Sequence, residues 1–118
     1  MTCKVGGLVL IPFPYSHLES TKRRPVLILT SPDRHGDFIC LAITSVPQTE
    51  EAIKLETSNL LKGRLPKTSW VRLDKVFTLS ESIIVKHFGQ VDKDFINKVL
   101  EGLCGIVGYG EQSNVTHQ

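Results

Sequence analysis

The sequence predicts a mainly β protein with an α-helical end, a small β-barrel closed by one C-terminal helix. Short apolar runs separated by turn residues occupy roughly the first 85 positions, and from Asp92 the apolar period changes to that of a helix. At 118 residues with 41% hydrophobic and 22% charged residues, the chain fits one ordinary globular domain that needs no staples. The domain is expected to span residues 1–110, with 111–118 a fraying polar tail.

The elements follow in order. Leu8-Val9-Leu10-Ile11 is continuously apolar and is stopped by Pro12 and Pro14, as in a first strand buried on both faces. Residues 25–30 and 37–44 repeat the pattern around Ser31-Pro32-Asp33 and His35-Gly36, which predicts an antiparallel hairpin. Ile53 and Leu55 alternate with polar neighbours as in a half-exposed strand, and Ser58-Asn59-Leu60-Leu61-Lys62-Gly63 reads as a brief turn of helix stopped by glycine. Trp70-Val71-Arg72-Leu73 and Val76-Phe77-Thr78-Leu79 continue the sheet, and residues 82–85 add one more strand or a tight turn. Phe95, Ile96, Val99, Leu100, Leu103, Ile106 and Val107 then recur at helical spacing, with Asp92 or Asp94 as the cap and one face expected on the barrel. Gly102 and Gly105 each weaken such a helix by about 1 kcal/mol relative to alanine, so packing must hold its last turn.

Composition narrows the function classes. The longest apolar run, 8–13, is too short to span a bilayer, and the start lacks the pattern of a signal peptide; a cytoplasmic protein with no membrane partner is expected. Cys3, Cys40 and Cys104 form an odd, widely spaced set that fits reduced thiols, with Cys40 and Cys104 expected in the core. His17, His35, His87 and His117 show no metal-ligand spacing, and neither a metal nor another cofactor is expected. A net charge of +2 is too small to establish a nucleic-acid partner; local basic clusters must carry that argument.

Chemistry concentrates in Lys22-Arg23-Arg24-Pro25 and Ala42-Ile43-Thr44-Ser45. Pro25 pushes Arg24 toward an extended backbone, so a planar donor fork stands at the mouth of one strand while hydroxyls stand at the end of another. That pairing suits phosphate oxygens, although a solvated basic turn would read the same way.

These residues carry a resemblance to a known family. Gly6-Gly7-Leu8-Val9-Leu10-Ile11-Pro12-Phe13-Pro14-Tyr15-Ser16, the Lys22 to Leu29 stretch and Ala42-Ile43-Thr44-Ser45 resemble the first three strands of MazF/PemK-like toxins, and 69–86 is similar to their second half. The resemblance implies an SH3-like β-barrel (MazF/CcdB-like) and a homodimer whose interface shapes an RNA groove. It further implies a toxin neutralised by a cognate antitoxin: a metal-independent endoribonuclease that cuts single-stranded mRNA at short preferred sequences. The ribose 2′-hydroxyl would be the nucleophile, leaving a 2′,3′-cyclic phosphate and a 5′-hydroxyl. The family's catalytic arginine and strand-end hydroxyl fall on Arg24 and Thr44.

Physical chemistry refines these roles. An arginine, with a pKa above about 12, is a poor general base and a good charge clamp, and a threonine is better cast as an oriented donor than as an acid. If Ile39, Leu41 and Ile43 fill the barrel, Ser45 points inward and Thr44 outward beyond Ala42, which leaves Phe38 and Cys40 needing a dimer interface or a covering loop. Lys22 and Arg23, in the loop 15–23, are candidates for RNA phosphates, Tyr15 for base stacking or packing, and His17 for proton transfer or a plain surface role; Ser45 completes the RNA-binding set. Lys75, Lys86 and His87 add positive charge late in the chain. Gly7 stands where many members carry an acid, and the first loop is shorter than in the better-known branch. Two other functions fit such a barrel. One is a CcdB-like gyrase poison, whose tryptophan-bearing C-terminal segment is not matched by Asn114-Val115-Thr116-His117-Gln118; the other is a catalytically silent RNA-binding module.

Overall fold

A computed structural model describes residues 4–12 and 22–108. Its strands are β1 (Gly7–Pro12), β2 (Arg23–Ile28), β3 (Asp37–Thr44), β4 (Ala52–Leu55), β5 (Leu60–Gly63), β6 (Ser69–Ser80) and β7 (Lys86–Val91), and its helix is α1 (Lys93–Val107). They form one seven-stranded sheet in the order β4-β6-β3-β2-β1-β7-β5, every pair antiparallel. The two edge strands, β4 and β5, are consecutive in sequence and joined only by Glu56 and the 3₁₀ turn Thr57–Asn59. Seven flat strands would separate those edges by about 29 Å, whereas the link from Leu55 to Leu60 spans at most about 18 Å. The sheet must therefore roll up, which gives the half-closed barrel with a C-terminal helix that the sequence predicts.

The roll buries both faces of its central strands. Leu8, Leu27, Leu41, Ile43, Leu55, Val71, Leu73, Val91, Phe95 and Val99 form the interior cluster, and Val9, Ile11, Val26, Ile28, Phe38 and Cys40 form a second cluster on the other face. Phe77, Leu79, Ile83 and Ile84 pack on that second cluster, so the end of β6 and the 3₁₀ turn Glu81–Ile83 are the cover that Phe38 and Cys40 require. Residues 82–85 thus form a tight turn rather than a strand. Ile39 departs from expectation: it shares the face of Leu41 and Ile43 but is 39% exposed, because it lies at the hairpin end of β3 opposite Thr78, beyond Val71 and Leu73, the β6 residues that share the interior cluster with Phe95 and Val99 of α1.

β5 replaces an expected helical turn, and β7 is a strand where no element was expected. Residues 58–63 are not one helical turn; the turn ends at Asn59 and Leu60–Gly63 pairs with β7. β7 itself, Lys-His-Phe-Gly-Gln-Val, has no apolar alternation and is held by backbone pairing to β1 on one side and β5 on the other.

Asp92 caps α1 by accepting a 2.8 Å hydrogen bond from the Phe95 N–H, and Gly108 ends it in the left-handed conformation. Phe95 and Val99 bury the helix against the barrel. Leu100 and Val107, expected with them, are exposed because they lie well round the helix from that stripe, and Ile106 is exposed because the last turn runs past the sheet. Cys104 is exposed rather than core, two residues and so about 200° from Gly102, which touches Leu73. At the hairpin between β2 and β3, the Asp33 carboxylate accepts from the Asp37 and His35 backbone N–H groups at 3.0 and 2.8 Å. Those bonds, Asp37 first, hold its pKa below the ordinary value.

Candidate functional site

The site arises where the β2–β3 ladder stops. Their register is Ile28↔Cys40, Leu27↔Leu41 and Val26↔Ala42, and pairing ends there. The Leu29 N–H donates to the Ile39 carbonyl, so alternate residues of β2, position 25 among them, point their backbone at β3. Pro25 has no N–H to continue the ladder. Extending the register places Arg24 opposite Thr44 across the opening, both on the face of Val26 and Ala42. On the far side of β3, Thr44 stays paired with Trp70 of β6. Four β6 residues, 72–75, bulge past the single β3 residue Ala42.

A cleft of about 500 Å³ occupies the opening, and its walls include Arg23, Arg24, Pro25, Ile43, Thr44, Ser45, Arg64, Lys67, Lys86 and Phe88. Five of its described wall residues are cations, Arg23, Arg24, Arg64, Lys67 and Lys86, and none is an acid. Both salt bridges among the described residues, Lys54–Glu56 and Arg72–Asp74, involve other side chains. The cleft is therefore strongly electropositive and selects an anion. Arg24 and Thr44 also line a smaller cleft of about 220 Å³ on the bulged side, with Arg72, Lys75 and Phe77. The Thr44 hydroxyl oxygen accepts the Val46 N–H at 3.1 Å, which fixes the oxygen and leaves its own proton to be donated into the cleft.

The structure brings together Arg23, Arg24, Thr44 and Ser45 of the expected set. Lys22 is exposed and lies outside the cleft walls. Tyr15 and His17 fall outside the described residues, as does the tail 111–118. Lys75 lines the smaller cleft and Lys86 the larger one. Arg64, Lys67 and Phe88 were not legible in advance. Arg64 and Lys67 sit between β5 and β6, and only the rolled topology carries that connection to the β2–β3 opening. Among the described residues no group of three or more His, Cys, Asp or Glu side chains is placed to hold a metal.

A rolled antiparallel sheet, a capping helix and an arginine–threonine pair in a cationic cleft define a small β-barrel with a basic site suited to an anion. Residues 4–107 match the family described as PemK-like, MazF-like toxin of type II toxin-antitoxin system, and the chain belongs to that family. Endoribonuclease MazF6 of Mycobacterium tuberculosis is 27% identical over 94 residues, covering 76% of this chain and 82% of that protein, and Endoribonuclease MazF2 of Mycobacterium bovis matches equally. Among solved structures, an endoribonuclease in complex with its cognate antitoxin from a mycobacterial species superposes with a TM-score of 0.71 at 20% identity, covering 90% of this chain and 95% of that one. A MazE-MazF structure from Deinococcus radiodurans gives 0.73 at 18% identity, covering 92% and 98%. These likenesses bear out the predicted fold.

Proposed function

We propose that the chain is a metal-independent endoribonuclease toxin that cuts single-stranded mRNA in the cytoplasm, with Arg24 and Thr44 as its catalytic residues. The observation that carries this reading is the position of Arg24 opposite Thr44 across the opened ladder, in a cleft whose described walls hold five cations and no carboxylate. RNA supplies its own nucleophile. The 2′-hydroxyl, losing its proton, attacks the adjacent phosphorus; the bond from phosphorus to the 5′-oxygen breaks, and its electron pair leaves on that oxygen, which is protonated. The products are a 2′,3′-cyclic phosphate and a 5′-hydroxyl.

In this scheme the Arg24 fork donates to the non-bridging oxygens as negative charge gathers on them, a role in which one donor is worth about 3 to 4 kcal/mol. The Thr44 hydroxyl donates a hydrogen bond to the phosphate or to the departing oxygen. Arg23 and Ser45 bind the flanking strand. The relatives solved with an antitoxin support an antitoxin partner for this chain as well, and in this scheme that partner silences it by occupying the cationic cleft. Exposed Leu100, Ile106 and Val107 on α1 support pairing of two copies. Incubating total RNA with the purified protein in EDTA tests the proposal: discrete new 5′-hydroxyl ends are expected, and intact RNA would overturn it.

A further inference from the structure

We propose that a second trench, between β5, β7 and the turn before β1, is a subsite that holds the backbone of the same RNA strand beside the cleavage cleft. This rests on the endoribonuclease reading. The trench, about 590 Å³, is lined by Lys4, Lys62, Arg64, Lys86 and His87, with Phe88 and Gln90, and no acid is among its described walls. Arg64, Lys86 and Phe88 also line the cleavage cleft, so the two spaces meet along a shared basic wall. Lys4 is fixed at the far end by a tight turn in which the Gly7 N–H donates to its carbonyl at 2.9 Å.

The floor suits a sugar–phosphate chain. Gly63 has a φ of +87°, and a Cβ there would run into the Phe88 carbonyl; a Cβ on Gly89 would stand 3.1 Å from the Lys62 carbonyl. β5 and β7 are paired backbone to backbone here, so main chain at Gly63 and Gly89 forms part of the floor and the cations stand around it. Apart from glycine, Phe88 is the one apolar residue among the described walls. A docking peptide draws its affinity from buried apolar anchors. A polyanion draws it from released counterions and from stacking on an aromatic ring. The trench fits the second.

The test uses two synthetic RNAs built around a cut site mapped in total RNA, one a few nucleotides long and one extended on both sides. For the Lys4→Ala/Lys62→Ala double variant, KM for the long RNA should rise about tenfold with kcat unchanged. The slope of log KM against log salt should fall by about 1.4, from two lost phosphate contacts at about 0.7 each. The short RNA should be cut as by wild type, and Lys4→Arg/Lys62→Arg should behave as wild type on both. Wild-type kinetics on the long RNA, or an equal loss on the short one, would overturn the proposal. So would loss of a Glu-rich peptide's binding with RNA kinetics unchanged, which would assign the trench to a protein partner. If total RNA yields no cut site, the endoribonuclease reading fails by itself; the trench is then judged by the salt slope of binding of a single-stranded RNA of mixed sequence in fluorescence anisotropy, where an unchanged slope in the double variant overturns it.

Discussion

Arg24 and Thr44 stand opposite one another in the shared register of β2 and β3, two residues past the last pair, Val26↔Ala42, where Pro25 stops the ladder. The same break in hydrogen bonding opens the cleft and sets the two side chains on one face of the sheet. A donor fork and a hydroxyl thus converge without either residue leaving a strand, which is how a rigid scaffold preorganises a small site.

The geometry of the fork is the first test. Arg24→Lys keeps the charge and loses the planar pair of donors, so single-turnover cleavage should fall by about 10²-fold with thermal stability unchanged, since Arg24 is exposed. Near-wild-type cleavage by the lysine variant would reduce Arg24 to a point charge.

Thr44 should behave as a hydroxyl and not as a shape. Thr44→Val removes the donor and also the acceptor for the Val46 N–H, and should slow cleavage by about 10- to 100-fold, the worth of a hydrogen bond to a charged group. Thr44→Ser restores both functions and should recover most of the rate. Equal rates for the valine and serine variants would contradict the donor role.

The two helical glycines should respond with opposite tendencies. A Cβ at Gly105 meets nothing within 4 Å, so Gly105→Ala should stabilise the fold by roughly 0.5–1 kcal/mol. A Cβ at Gly102 would stand 2.7 Å from Leu73 Cδ1, and Leu73 is itself buried, so Gly102→Ala forces core movement that offsets its helical gain. Urea denaturation should find the Gly102 variant the less stable of the two by at least about 1 kcal/mol.

Acid should loosen the β2–β3 turn, at the end of the hairpin away from the site. The Asp33 carboxylate has its pKa lowered, chiefly by the Asp37 N–H and then by that of His35. A lowered folded-state pKa means that its stabilising effect is present above the ordinary aspartate range and is lost as pH falls through the folded value. Stability should therefore drop on acidification below that range, and Asp33→Asn should flatten this part of the profile. An unchanged acid limb in the variant would show that the bonds carry no linkage.

Much of this arrangement was legible in the residues, and the exceptions have physical causes. The β2–β3 hairpin was readable because its apolar runs are bounded by Pro32, Asp33 and Gly36, and Arg24 because Pro25 announces a break. β7 was not, since a strand held by backbone pairing on both edges needs no apolar alternation; its Lys86 and Phe88 line clefts, and a Cβ at Gly89 would crowd the nearby Lys62 carbonyl. Arg64 and Lys67 were invisible as site residues because their approach to Arg24 depends on the roll of the sheet, a property of strand order and not of local pattern. Helix periodicity correctly marked Phe95 and Val99 but could not tell where the sheet beneath α1 ends, so Ile106 was expected inside.

The central claim is that Arg24 and Thr44 hold a phosphodiester for attack by its own 2′-hydroxyl. Cleavage in EDTA of one RNA oligonucleotide containing a mapped site, beside the same oligonucleotide with a single 2′-deoxy sugar at that site, measures it most directly. The wild-type protein should cut the first to a 2′,3′-cyclic phosphate and a 5′-hydroxyl and leave the second whole, and Arg24→Ala should cut neither. Cleavage of the deoxy substrate, 5′-phosphate ends, or full activity in Arg24→Ala would contradict it.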